Sequence, residues 1–240
     1  MHEPCPTRRH EAVNDNEQRD AAQEYASPPC LMHRFDPLTG DRVMDADVVR
    51  WRKAERERLI AARLAIPAAE RSRLSQQIET WLDRALGDVS GRIVSVYWPF
   101  RGEPDLRPWL KGLEERGAVG ALPVVVHRHA PLVFRSWRRD EPLEPGVWKI
   151  PVPSHGIAVT PDIVIAPVVG FDADCFRLGY GGGFYDRTLA DLPQRTRIVG
   201  VGYEQQAIRT IYPQDHDVAM EMIVTESGIV NPIVTPADGS

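Results

Sequence analysis

The run Gly179-Tyr180-Gly181-Gly182-Gly183 strips one turn of the chain of almost all side-chain cover, and this constrains what can flank it. Upstream, Asp162-Ile163-Val164-Ile165-Ala166-Pro167-Val168 is a short apolar, β-branched run that predicts a buried strand. Downstream, Phe184 to Leu192 predicts a helix. Glycines between a strand and a helix let the backbone approach an anion closely, since no Cβ intervenes and left-handed dihedrals cost little. The free amides and positive dipole end of the helix then face that anion. Arg177 and Arg187 flank the cluster with guanidinium forks suited to phosphate oxygens, and Asp186 offers a hard carboxylate for a phosphate-bound magnesium. The pattern suits a nucleotide triphosphate site. It also suits a plain structural turn, because it matches neither the dinucleotide fingerprint nor the P-loop; no Lys-Ser/Thr pair follows the glycines.

Other candidates lie on either side. A helix is expected to begin near Asp45 or Asp47 and to run through Trp51, Leu59 and Arg63. Arg52 and Arg56 sit one turn apart on it and project from the same face, which Glu55 and Glu57 make readable as a solvated charged face. Pro67 is expected in the first turn of a second helix, whose apolar stripe Leu74, Ile78, Trp81, Leu82 and Ala85 is core and which Gly87 ends. Arg92 to Trp98 reads as a strand, followed by a loop carrying Phe100 and Glu103. Glu103 is either a ligand residue or a first-turn acid before the helical segment Asp105 to Arg116. Ala121 to Val126 and Leu132 to Trp137 are strand-like, and His127 and His129 between them read as solvated strand-end residues. Arg135, Arg138 and Arg139, answered by Asp140, Glu141 and Glu144, read as a hairpin surface, and Gly146 to Pro153 as a stiff, proline-bounded loop. Arg197 to Tyr203 and Met220 to Thr225 complete the strands, with Asp215, His216 and Asp217 in a turn between them. Val/Ile-rich strands alternating with helices predict an α/β fold with a mostly parallel sheet covered on both faces.

Only three of the 29 basic residues are lysines, so arginine is the default cation and its type alone singles out none of them. The net charge of -5 argues against a general nucleic-acid binder. Cys5, Cys30 and Cys175 suit neither a disulfide framework nor a zinc site, so a reducing cytoplasm is expected. There is no apolar run of membrane-spanning length, and Glu3, Glu11, Asp15, Glu17 and Asp20 make the start too acidic for a transit peptide. Residues 1–44 are expected to form a disordered extension, with Leu31 to Phe35 touching a domain over 45–230, and 231–240 a flexible tail.

The string Arg177-Leu178-Gly179-Tyr180-Gly181-Gly182-Gly183-Phe184-Tyr185-Asp186-Arg187 resembles the signature of the 5-formyltetrahydrofolate cyclo-ligase, or methenyltetrahydrofolate synthetase, family, and the likeness covers about Asp47 to Ile229. The resemblance implies a three-layer α/β/α fold like that of certain sugar-phosphate isomerases and CoA transferases. It implies ATP-dependent closure of 5-formyltetrahydrofolate to 5,10-methenyltetrahydrofolate, by phosphoryl transfer to the formyl oxygen and attack by N10. ATP contacts are implied at Arg52, Arg56 and along Arg177 to Tyr185, with Arg177 and Asp186 carrying the chemistry. Asp186 and Asp217 are implied as Mg2+ ligands, and Phe100, Glu103 and Trp148 as folate contacts. The family's first basic residue is usually lysine, which leaves Lys53 as the rival of Arg52. The partners expected are these two substrates, with no nucleic acid or membrane, and the chain is expected to be monomeric. The chain departs from the family at Cys175, where members often have glycine, at Pro104-Asp105-Leu106, and at Lys149 or Val152. The departures at Cys175 and Pro104 to Leu106 keep open a non-catalytic nucleotide- or folate-binding paralogue; an isomerase or transferase on the related fold, working without ATP, is the other rival.

Overall fold

The computed structural model describes residues 46–232. The extension expected over residues 1–44, its Leu31–Phe35 contact, the candidate cap Asp45 and the tail from residue 233 onward lie outside the described residues.

In chain order the elements are α1 (Ala46–Ala65), α2 (Ala68–Leu86), β1 (Ile93–Ser95), α3 (Arg107–Glu115), β2 (Val119–Val124), β3 (Val133–Ser136), β4 (Leu143–Pro145) and β5 (Pro151–Pro153). They continue with β6 (Ala158–Val159), β7 (Ile163–Pro167), β8 (Gly170–Phe171), β9 (Arg177–Leu178), α4 (Phe184–Asp191), β10 (Arg197–Val201), β11 (Met222–Thr225) and β12 (Gly228–Val230). Pro67 stands one place outside the turn expected for it. Its ψ of 147° is extended while its carbonyl already accepts the Arg71 amide at 2.9 Å, so it is the N-cap of α2. Gly87 ends that helix at φ 65°.

Eight strands form one sheet in the order β12-β11-β10-β7-β1-β2-β3-β6. The five in the middle, β11 to β2, run parallel, and the antiparallel strands sit at the two edges. Strand β7 shows why its sequence is apolar without interruption. Ile163 and Ile165 pack on one face with α2 and α3, whereas Val164 and Ala166 pack on the other with Leu189 of α4. The layers are therefore α2 and α3, then the sheet, then α4 with the β8–β9 ribbon. Helix α1 covers one end, where Leu59 joins Val169, Leu178 and Ile211 in a cluster of their own.

The segment Gly146–Pro153 is more ordered than the loop expected there. Strands β4 and β5 pair antiparallel around a short 3-10 turn, and Trp148 and Lys149 take left-handed backbones at φ 54° and 61°. The surface beside it also differs in its pairing, since Arg135 donates to the Pro153 carbonyl at 3.3 Å. None of the described helices is long and apolar enough to cross a membrane.

The sheet order has one functional consequence. From β1 the chain moves outward to β2, and from β7 it moves outward the other way to β10, so the switch of direction falls between β1 and β7. The carboxyl ends of two such strands leave a crevice that their outgoing loops cannot fill.

Candidate active site

A cleft of about 540 Å³ opens at this switch point, lined by residues following β1 (Tyr97 to Glu103), the end of β7 (Pro167) and the glycine turn. Arg52, Arg56, Trp148, Asp186 and Asp217 complete its wall. Every residue singled out above as a site candidate lines this one cleft, apart from Lys53 and Arg187. Lys53 is exposed and Arg52 buried, so the helix points Arg52 inward and its lysine neighbour to solvent.

The glycine turn is shaped as much by arginines as by room for a ligand. A Cβ on Gly179 would lie 2.5 Å from Arg177 Nη1, and one on Gly183 would lie 2.7 Å from Arg187 Nη1. Gly181 faces the Arg56 guanidinium and takes φ 89°, a left-handed value that a side chain would strain. Three guanidinium groups thus pack against three glycines. Arg56 Nε donates to the Gly179 carbonyl at 2.7 Å, and Arg187 Nη2 to the Gly182 carbonyl at 2.8 Å. Arg187 lies outside the cleft and braces the turn from behind.

Two acid–base pairs set the charge at this end. Arg177 donates to Asp186 Oδ1 at 2.8 Å, and Asp186 sits in the first turn of α4, where the dipole favours a carboxylate. Arg52 donates to Asp217 Oδ2 at 2.5 Å and also to the carbonyls of Ile211 and Tyr212, which ties α1 to the turn before β11. Burial, with Arg52 next, lowers the Arg56 pKa, against the raising pull of Asp217 and Asp186. Arg56 therefore stands within electrostatic reach of both carboxylates. Among the described residues, no group of three His, Cys, Asp or Glu side chains gathers to hold a metal. A magnesium ion needs only one or two carboxylates when phosphate oxygens complete its shell; Asp186, with one oxygen on Arg177, fits that donor set, whereas both Asp217 oxygens already accept from Arg52.

The other end of the cleft is aromatic and holds one buried acid. Phe100 and Tyr180 lie 5.8 Å apart between ring centres, and Trp148 meets Phe184 edge-on at 5.7 Å. Glu103 is 6% exposed, and helix α3 begins only at Arg107, so a first-turn role for this acid falls away. Its carboxylate accepts the Phe100 amide at 2.8 Å and the Tyr180 hydroxyl at 2.7 Å, with Arg63 Nη2 at 4.0 Å. Burial pushes the Glu103 carboxyl up to about 7, against the lowering pull of Arg63, Tyr180 and the Phe100 amide.

A carboxyl whose pKa is higher when folded binds protons more tightly in the folded state, so its contribution to stability is lost as pH rises through the folded value. The melting temperature of wild type minus that of Glu103→Gln should therefore fall as pH rises from about 4.5 to about 7 and be level beyond it. Thermal unfolding of both proteins across that range checks the sign.

Arg63 is a site residue that no motif in the sequence marks. It is fully buried and donates to the carbonyls of Arg101 and Val168 and to the Tyr180 hydroxyl. The only hint was its place two turns beyond Arg56 on the same helix face. The departures from the family pattern lie off the cleft, apart from Val152. Cys175 is buried at φ 61° with its thiol on the Val230 carbonyl, Leu106 is core, and the Pro104 carbonyl accepts the Tyr97 hydroxyl. Val152 does line the cleft, whereas Lys149 is exposed.

Residues 48–226 match the model of the 5-formyltetrahydrofolate cyclo-ligase family. The 5-formyltetrahydrofolate cyclo-ligase of Mycolicibacterium smegmatis is 31% identical over 190 residues, covering 73% of this chain and 94% of that protein. The protein of the same name from Escherichia coli is 30% identical over 174 residues, covering 70% and 96%. The solved structure of Aquifex aeolicus 5,10-methenyltetrahydrofolate synthetase superposes with a TM-score of 0.67 at 25% identity, over 79% of this chain and 96% of that one. A cleft built from the residues of the glycine signature, in a fold shared along almost the whole length of these enzymes, leads to one conclusion: the chain belongs to the 5-formyltetrahydrofolate cyclo-ligase family.

Proposed function

We propose that this chain closes 5-formyltetrahydrofolate to 5,10-methenyltetrahydrofolate at the expense of ATP, with the ATP phosphates on the glycine turn and the folate against Glu103. The observation that carries the reading is the division of one cleft into a cationic end, with Arg56, Arg177 and the α4 N-terminus, and an aromatic end with a single buried acid. A triphosphate and a flat heterocycle with N–H donors are the ligands those two ends suit.

The formyl oxygen is a poor leaving group as oxide, so it must first be phosphorylated. In the proposed step the γ-phosphorus–oxygen bond to ADP breaks as a bond to the formyl oxygen forms. N10 then attacks the formyl carbon and loses its proton, and the carbon–oxygen bond breaks to release phosphate. Phosphoryl transfer needs alignment and dispersal of charge more than covalent help. Arg177 and Arg56 disperse charge on the transferring group, and the turn amides hold its oxygens. Phe100 and Trp148 stack on or beside the pterin and exclude water, while Glu103 accepts its N–H donors.

Magnesium, when bound with the nucleotide, supplies neutralisation of the phosphate charge. Asp186, whose Oδ2 is not turned to Arg177, and Asp217 would be the residues to hold it. Asp186→Asn should accordingly raise the magnesium concentration for half-maximal rate by roughly tenfold or more. A variant whose rate is indifferent to magnesium contradicts that role.

The reading is tested by mixing purified protein with ATP, magnesium and 5-formyltetrahydrofolate and following the absorbance of the methenyl product. Product formation that requires ATP supports it. Product without ATP favours an isomerase-like chemistry, and no product favours a binding protein.

A further inference from the structure

We propose that Tyr180 is a positioning residue that, with Arg63, holds the Glu103 carboxylate ionised and aimed into the cleft, so that the glycine turn governs the acid on the folate side. This rests on the reading of Glu103 as the folate-binding acid. Tyr180 belongs to the glycine turn by sequence, but its hydroxyl does not face the phosphate end. It accepts from Arg63 Nη2 at 2.5 Å and donates to Glu103 Oε1 at 2.7 Å. The ring is fixed as well, 5.8 Å from Phe100 and with the Arg63 guanidinium 5.8 Å from its centre.

The alternative, a direct Arg63–Glu103 bond, is prevented by geometry. Arg63 is tied to the carbonyls of Arg101 at 2.9 Å and Val168 at 3.2 Å, which leaves it 4.0 Å from the carboxylate. The tyrosine hydroxyl bridges that gap. The other groups facing Glu103 are Tyr97 after β1 and Tyr185 on α4, and burial pushes both phenols well up, so they stay neutral across the range in which Glu103 titrates. Arg63 is thus the cation on which the carboxylate depends, and Tyr180 is the link to it.

The test is the affinity for 5-formyltetrahydrofolate alone, by tryptophan fluorescence from pH 5.5 to 9, for wild type, Tyr180→Phe, Glu103→Gln and the double variant. In wild type, binding should weaken as pH falls through about 7. Loss of a hydrogen bond to a charged group should move that midpoint up by about one pH unit in Tyr180→Phe. The ionised fraction at pH 7 then drops from about a half to about a tenth, so affinity falls roughly fivefold and returns to within about twofold of wild type at pH 9. In the Glu103→Gln background, Tyr180→Phe should cause no pH-dependent change. A Tyr180→Phe profile that superposes on wild type, or a loss equal at every pH, overturns the inference and leaves the folate reading intact. Wild-type protein that takes no folate at any pH refutes the reading of the cleft and this inference with it.

Discussion

Replacing Arg177 by alanine should lower turnover by roughly 10²–10³-fold, the range that follows from losing one charge-stabilising donor at about 2.7–4 kcal/mol. Arg177 is 5% exposed, and its guanidinium packs under Gly179 and holds Asp186 at 2.8 Å. Its removal therefore takes away one cation at the phosphate end and frees the orientation of a magnesium candidate. Folding should suffer less than catalysis, because the Asp186 side chain keeps 17% exposure and can draw in water once its partner is gone. Stopped-flow or steady-state measurement of the methenyl product gives the number, and an unchanged turnover removes Arg177 from the reaction.

Arg52→Ala should show the opposite balance. Arg52 and Asp217 are 7% and 6% exposed, and the guanidinium also serves the carbonyls of Ile211 and Tyr212. Deleting one partner of such a pair leaves the Asp217 charge without its cation and the buried Ile211 carbonyl without its Arg52 donor, which costs about 3–5 kcal/mol. For a domain of this size that corresponds to a melting temperature lower by roughly 6–20 °C. Differential scanning calorimetry of Arg52→Ala against wild type measures it. A variant that melts with wild type while losing ATP affinity would make Arg52 a phosphate ligand and not a tie between α1 and the Asp217 turn.

The difference between these two arginines marks the limit of what sequence alone conveys. Arg177 belongs to the glycine signature, but the spacing of Arg52 on its helix fits a solvated face, and it is the family resemblance that implies both at one ATP site. Their partners are what spacing cannot supply. Arg52 meets Asp217 across 165 positions, and Arg63 meets Tyr180 across 117. The uninterrupted apolar run of β7 and the stripe on α2 make the layers readable, because a strand buried on both faces and a helix stripe are both local patterns. The β4–β5 ribbon looks like loop in the sequence for the converse reason, since its strands are short, proline-bearing and paired only with each other. Glu103 was recognised as a candidate, but its raised pKa follows from burial, and burial of a loop acid depends on α1 and the glycine turn closing over it.

In the proposed function the glycine turn and its arginines receive the anionic end of ATP. A crystal of this protein soaked with a non-hydrolysable ATP analogue tests that most directly. The β- and γ-phosphates should lie within hydrogen-bond reach of the amides around Gly181 to Gly183, with the Arg56 and Arg177 guanidinium groups alongside. Nucleotide bound elsewhere, with that turn empty, would contradict it.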